Sequence, residues 1–352
     1  MGQAITRRDG SKAAKVADAP LSAALVDGVR DYMAAARAEH TRRAYRKAWD
    51  RFVTWCGEHG RTALPASPAT VAAWMADMGK AISGRRSLSR ASINQYLSAL
   101  VLAHRTAGHV LDRKAPDIAE TWQGLSRRKA KTEVRRKAKP LMGAELRELV
   151  HGLGKDRPAD VRDAALLVLG WAGALRRSEL VGLDWLEMGA GSGFIALEDR
   201  GLVVTLPTSK GSQAESETIV IPCPDMPTAC DALALWSATA KLRRGEPVFR
   251  PINNTGGLGS ERLTDRSVSL IVKARVARFY RDKGKSPAEA EALAAGFSGH
   301  SMRAGYATTA GENDEPGYRI QRRMRHKSMD TTTSYIRGAE QWTKSGLKGF
   351  GF

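Results

Sequence analysis

The chain has 352 residues, enough for two domains, because single cores stop growing before that length. Apolar side chains make up 42%, which supplies real cores and excludes a disordered polymer. Fifty-six Lys and Arg against 37 Asp and Glu leave a net charge of +19, a balance that calls for a polyanionic partner: DNA, RNA or an anionic membrane. A membrane is disfavoured. The longest apolar run, Ala164 to Leu175, has 12 residues, which suits a buried core helix and is too short to span a bilayer. The N-terminus lacks the apolar stretch of a secretory signal. Gly2 and Thr6 fit the loose myristoylation pattern, which matches often by chance. Cys56, Cys223 and Cys230 are odd in number and carry no metal-site spacing, so a reducing cytoplasm is the natural setting.

In chain order, residues 1–19 read as a polar, loose tail. Residues 20–126 read as a compact all-helical domain. Its best helix runs from an N-cap at Thr41 to His59, with Tyr45, Trp49, Phe52, Val53 and Cys56 at helical spacing and Gly60 as its stop. Ser67-Pro68 opens a second helix carrying Val71, Trp74, Met75 and Met78. Ser89 caps a third, with Ile93, Tyr96, Leu97, Leu100 and His104 down one side, and Pro116 to Leu125 forms a fourth. Residues 127–140 break the pattern with eight basic side chains: Arg127, Arg128, Lys129, Lys131, Arg135, Arg136, Lys137 and Lys139. They read as an interdomain linker lying along phosphates. Residues 1–138 hold 26 basic and 12 acidic side chains, so most of the excess charge sits in the helical half.

A second domain spans 141–337. Met142–Val150 and Ala159–Ala174 read as helices, the latter apolar on nearly all sides and so deeply buried, and Arg176–Leu183 as a short one. The period then changes. Phe194–Leu197, Leu202–Leu206 and Thr218–Ile221 read as three strands of a small antiparallel sheet, with turns at Asp199–Gly201 and Ser209–Ser216. Helices resume over 227–243, 265–283, 286–296, 300–311, 317–325 and 330–337. The tail, residues 338–352, is Gly-rich but holds Trp342, Leu347, Phe350 and Phe352. The fold class is therefore mainly α, an all-helical domain followed by an α+β one.

Several polar residues stand out, and each alone has an ordinary structural explanation. Arg176 directly follows the buried run, where a charge is costly unless paired, and Glu179 lies three residues on, on the same face. Lys210 lies in a turn between two apolar strands. His300 and Arg303, in GHSMR, share a helix face; His326 and Tyr335 lie in RHKSMDTTTSYIR. Taken in order, ALRRSEL, the turn Lys, GHSMR, RHKS and TSYIR resemble the tyrosine recombinase (phage integrase) family, which combines Arg, Lys, His-x-x-Arg, His or Trp, and Tyr. Ala174 replaces that family's usual Gly. The resemblance covers the whole chain, and the single loose tail ahead of the helical domain is similar to the simple Cre- and Xer-like members.

The resemblance implies a site-specific recombinase that cleaves and rejoins DNA without metal, nucleotide or other cofactor. It makes Tyr335 the nucleophile, Arg176 and Arg303 the phosphate clamp, Lys210 the general acid, His300 and His326 the supporting pair, and Glu179 a partner for Arg176. The implied partner is double-stranded DNA bearing an inverted repeat, bound by a dimer that pairs into a tetramer, with the C-terminal tail docking on a neighbour. Two other readings stay open: a type IB topoisomerase-like enzyme, and a non-catalytic DNA-binding regulator with the same fold. A metal-dependent strand transferase would need a carboxylate triad, and no acidic residues fall in a recognisable spacing for one.

Overall fold

A computed structural model of the chain describes residues 39–80, 87–132, 138–206 and 216–335. Expectations for the two tails, for Arg135, Arg136 and Lys137, and for Lys210 lie outside the described residues. The contact pattern divides the chain into two units, Met1–Val134 and Arg135–Phe352.

The first unit contains helices α1 (Glu39–Glu58), α2 (Pro68–Gly79), α3 (Arg90–Thr106) and α4 (Pro116–Thr132). Ser67 and Ser89 cap α2 and α3 as their positions predict: each hydroxyl accepts the backbone N–H three residues on, at 3.2 and 3.1 Å. Gly60, in left-handed backbone, ends α1 and lets Arg61 N–H reach the Cys56 carbonyl at 2.8 Å. Phe52, Trp55, Trp74, Met75, Ile93, Leu97, Leu100 and Ile118 form the core. His104 is buried there. Its Nε2 accepts from Ala66 N–H at 2.8 Å, so its Nδ1–H donates to the Leu100 carbonyl, also at 2.8 Å, and the ring is a neutral structural bridge.

Three details differ from the sequence reading. Helix α1 begins before Thr41, because Glu39 and His40 do not break it, so Thr41 is not its cap. Val53 is 42% exposed: it falls one position off the core-facing stripe of partly buried Trp49 and buried Phe52 and Cys56. Helix α4 continues through Thr132, so Arg127, Arg128, Lys129 and Lys131 stand on a helix rather than on extended linker, and Lys129 is buried.

The second unit opens with α5 (Gly143–His151), α6 (Pro158–Ala172) and α7 (Arg177–Val181). Helix α6 is buried on nearly every side, as its unbroken apolar run requires. A four-stranded sheet follows: β1 (Leu183–Trp185), β2 (Gly193–Glu198), β3 (Gly201–Leu206) and β4 (Glu217–Pro222). Strand β1 pairs parallel with β2, and β2–β3 and β3–β4 pair antiparallel, so the sheet is mixed, not wholly antiparallel. Strand β1 escapes the sequence pattern because its three residues are all buried and show no alternation. Cys223 and Cys230, whose Cα atoms lie 5.8 Å apart, join the end of β4 to the following helix in a disulfide, where the sequence suggested reduced thiols.

Helices α8 (Pro227–Ala240), α9 (Asp265–Asp282), α10 (Pro287–Ala294), α11 (His300–Glu312) and α12 (Gly317–Met324) complete the unit, with a last helical stretch over 329–335. The segment before α5 fixes α11: Leu141 N–H donates to the Ser301 carbonyl at 2.9 Å. Gly305 permits the approach, since a Cβ there would lie 1.8 Å from the Leu141 carbonyl oxygen.

Candidate active site

Three segments of the second unit converge: the turn between α6 and α7, the start of α11, and the stretch from the end of α12 to Tyr335. The turn is shaped by Ala174, which sits in left-handed backbone at φ 44. Arg176, just beyond it, has a half-exposed side chain (49%) whose Nη1 donates to Glu179 Oε1 at 2.5 Å. Its backbone N–H donates to the other carboxylate oxygen at 2.7 Å, and Nη2 donates to the Arg325 carbonyl at 3.0 Å. Burial alone would raise the Glu179 carboxyl, but Arg325 and Arg176 overcome it and hold it below the usual carboxylate value.

Arg303, one turn into α11, is 3% exposed. Its Nη1 donates to the Ala174 carbonyl at 2.5 Å and its Nη2 to the Met324 carbonyl. Burial, with repulsion from Arg176 and Arg325, pulls its guanidinium down to about 10, still protonated at neutral pH.

Tyr335 is half-buried, and its phenolic oxygen lies 2.7 Å from His300 Nε2. His326 stacks on the same ring, with centroids 5.9 Å apart and planes 24° apart, and its Nδ1 lies 2.9 Å from the buried hydroxyl of Thr332. Burial raises the phenol above its usual value, against the pull of Arg303. Burial, Arg303 and Arg177 lower His300, and burial with Arg303 and Arg176 brings His326 down to about 4. Both imidazoles are therefore neutral at pH 7.

The structure thus brings together Arg176, Glu179, His300, Arg303, His326 and Tyr335, residues drawn from 160 positions of sequence. It places Arg127, Arg128, Lys129 and Lys131 in the other unit, on α4. Lys139 belongs to this unit, where its backbone N–H donates to the Gly296 carbonyl at 2.9 Å. Two residues of the site carried no sequence signal of their own: Arg325, whose guanidinium reaches Glu179 Oε2 at 2.6 Å, and Thr332. Their adjacency to His326 and Tyr335 was the available hint. Among the described residues, no group of three or more His, Cys, Asp or Glu is arranged to hold a metal ion. None of the described helices is long and apolar enough to cross a membrane.

Residues 139–341 match the phage integrase family, and residues 30–107 match the phage integrase N-terminal SAM-like domain. An integrase/recombinase XerD homologue of Selenomonas ruminantium is 33% identical over 306 residues, covering 85% of this chain and 82% of the relative. The chain belongs to the phage integrase family. It is therefore a tyrosine recombinase, an enzyme of site-specific DNA recombination. A tyrosine recombinase XerC of Pelotomaculum thermopropionicum is 31% identical over 164 residues, covering 46% of this chain and 47% of the relative. Two solved structures share the fold at lower identity. The Tn1549 transposon integrase in complex with transposon right end DNA superposes with a TM-score of 0.57 at 13% identity, covering 92% of this chain and 98% of that one. The XerH site-specific recombinase bound to palindromic difH substrate gives 0.51 at 14% identity, covering 86% and 76%.

Proposed function

We propose that this recombinase cleaves one DNA strand by attack of Tyr335 on a phosphodiester, forming a 3′-phosphotyrosyl link and releasing a 5′ hydroxyl, and that the reverse reaction on a new strand completes recombination. The observation that carries the reading is the 2.7 Å contact between the Tyr335 oxygen and His300 Nε2, set beside two arginines. A phenol must lose its proton as it attacks, because its ordinary pKa is near 10. Neutral His300 is placed to accept that proton.

Arg176 and Arg303 oppose the negative charge that grows on the non-bridging oxygens, a task that planar, permanently charged donor forks perform well. Neutral His326 supplies a further polar group against the Tyr335 ring. Glu179 holds Arg176 at both backbone and side chain. Lys210 is assigned the proton for the leaving 5′ oxygen. The covalent intermediate keeps the bond energy, so rejoining needs no nucleotide and no metal.

Arg127, Arg128, Lys129, Lys131, Arg135, Arg136, Lys137 and Lys139 are assigned to DNA phosphates, which makes affinity fall steeply with salt. The functional assembly is a dimer on an inverted-repeat site and a tetramer of two such sites, acting in the cytoplasm, with residues 338–352 docking on a neighbour.

The test is Tyr335→Phe, which removes only the phenolic oxygen. Incubated with nicked site DNA and run on a denaturing gel, the wild type should give a protein–DNA adduct in excess EDTA, and the variant should bind the same DNA and give none. An adduct from the variant would assign the attack to another residue. A 5′-bridging sulfur substrate separates the acid from the clamp: Lys210→Ala should regain cleavage there, because a thiolate leaves without a proton.

A further inference from the structure

Arg325 is the C-terminal cap of α12, in left-handed backbone (φ 54, ψ 47), directly before His326. Its side chain is 6% exposed and runs back to the α6–α7 turn. Nη1 donates to the carbonyls of Gly173 at 3.3 Å and Arg323 at 2.8 Å, and Nη2 donates to the Ala174 carbonyl at 3.1 Å and to Glu179 Oε2 at 2.6 Å. Nε faces Glu217 Oε2 at 3.7 Å, on the first residue of β4. The Arg325 carbonyl in turn accepts from Arg176 Nη2. One residue therefore holds both members of the Arg176–Glu179 pair, and it shares with Arg303 the Ala174 carbonyl.

We propose that Arg325 is a positioning residue of the recombination site: its guanidinium fixes Glu179 and the turn at 173–174, and so sets the direction in which Arg176 presents its free donors to the scissile phosphate. The proposal rests on the function proposed above. Arg325 is not itself a phosphate ligand. A guanidinium has five N–H groups; here the four on Nη1 and Nη2 donate to acceptors of the protein, and the fifth, on Nε, is buried 3.7 Å from Glu217 without a hydrogen-bond partner, so none is offered to solvent. Arg176 is the opposite case: its described contacts use two of its five side-chain donors, and half of its side chain faces solvent. Without Arg325, Glu179 is left to Arg176 alone, and the turn carbonyls lose the donors that hold them. Lys would keep the charge and lose the geometry, because one ammonium cannot reach four acceptors in the plane that the fork spans.

Arg325→Gly tests this cleanly. Glycine adopts the left-handed backbone freely, so the carbonyl that receives Arg176 stays in place while the side chain is removed. Adduct formation should fall about 10- to 100-fold, the size expected from a misdirected catalytic group, with affinity for site DNA held close to wild type and unfolding still cooperative above the assay temperature, though lowered by the lost buried contacts. Arg325→Lys should recover little of the loss, and guanidinium ion in solution should restore part of it to Arg325→Gly but none to Arg325→Lys. In a Glu179→Gln background, Arg325→Gly should cost clearly less than it does alone, since the route through Glu179 is already weakened and only the contacts with the turn carbonyls remain to be lost. Normal adduct formation by Arg325→Gly would overturn the proposal. So would a parallel loss of DNA affinity, unfolding below the assay temperature, or effects of Arg325→Gly and Glu179→Gln that simply add. A wild type forming no adduct through Tyr335 would instead sink the underlying reading of the site, so the two failures are distinguishable.

Discussion

Two clusters of charge sit at opposite ends of helix α6, and they are built on different plans. At its start, buried Asp160 and Asp163 meet Arg162, Arg275 and Arg278. Arg275 reaches Asp160 at 2.5 Å and Asp163 at 2.6 Å, and Arg162 closes on Asp163 at 2.7 Å. Asp282 pairs with the outer arginine, so three carboxylates face three guanidiniums. Beyond the other end, Arg176 and Arg325 pair with Glu179, Arg325 has Glu217 at 3.7 Å, and Arg303 lies beside them. The described partners of Arg303 are carbonyls alone. A buried cation without a counterion is expensive, so a fold keeps one where a ligand anion completes it. The closed cluster ties α6 to α9; the open one has the excess positive charge that the scissile phosphate of the proposed reaction would complete.

The largest expected effects come from breaking the two clusters in turn. Asp163→Ala strands Arg162 and takes one of two carboxylates from Arg275, and should cost about 3–5 kcal/mol of stability in denaturant unfolding. Arg303→Met removes an uncompensated cation, taking its donor from the Met324 carbonyl while the Ala174 carbonyl keeps Arg325. It should change stability by less than about 2 kcal/mol in either direction, while abolishing the covalent adduct. Equal destabilisation by the two would erase the distinction.

Next in size is the response to an anion. Orthovanadate, a phosphate analogue, should raise the stability of the wild type by about 1.4 kcal/mol at ten times its dissociation constant. Arg303→Met should lose this response and a conservative change at the rim of the closed cluster, Arg278→Lys, should keep it. A response that survived Arg303→Met would place the anion elsewhere.

The pH dependence is smaller and follows from the same imbalance. His300 and His326 both titrate below the ordinary 6.5, so between their folded values and 6.5 the unfolded chain binds more protons. Their contribution to stability is complete above about 6.5 and is lost as the pH falls toward 4. Adduct formation should follow the same direction, since protonated His300 cannot accept from Tyr335. In NMR titration, the His326 ring should have its midpoint at about 4 and move upward in Arg303→Met, which removes a neighbouring positive charge; an unmoved midpoint would mean that burial and the remaining charges of Arg176 and Arg325 set it.

Much of the open cluster was legible in the sequence, because Arg176, His300, Arg303, His326 and Tyr335 fall in ordered motifs whose chemistry needs those residue types. The α helices were legible from apolar spacing and from caps such as Ser67 and Ser89. Arg325 was not. In a chain with 56 Lys and Arg, one more arginine carries no signal, and its left-handed cap position usually signals itself through Gly or Asn. Strand β1 was hidden by full burial, and the closed cluster by distance: Asp163 and Arg275 are more than a hundred residues apart and meet only through packing of α6 on α9.

The smallest effect concerns Ala174, which stands where the family usually has glycine. At φ 44 an alanine is strained by about 1–2 kcal/mol, which glycine would relieve. Glycine would also give up a methyl buried against Ala307, Ile320 and Met324, worth about 0.8 kcal/mol, and would add about 0.5–1 kcal/mol of unfolded-chain entropy. These contributions nearly cancel, so Ala174→Gly should shift Tm by no more than about 4 °C. The site uses the carbonyl of this residue, which accepts from both Arg303 and Arg325, and glycine leaves that carbonyl in place. Adduct formation should therefore stay within about threefold of wild type, a change of roughly 0.7 kcal/mol in barrier. Ala174→Val, branched at Cβ in the same left-handed backbone, should lose both stability and cleavage. If Ala174→Gly kept its Tm and cleaved more than tenfold slower, the restricted backbone of alanine would be what holds the shared carbonyl between the two arginines, and the open cluster would depend on a locked turn as well as on its charges.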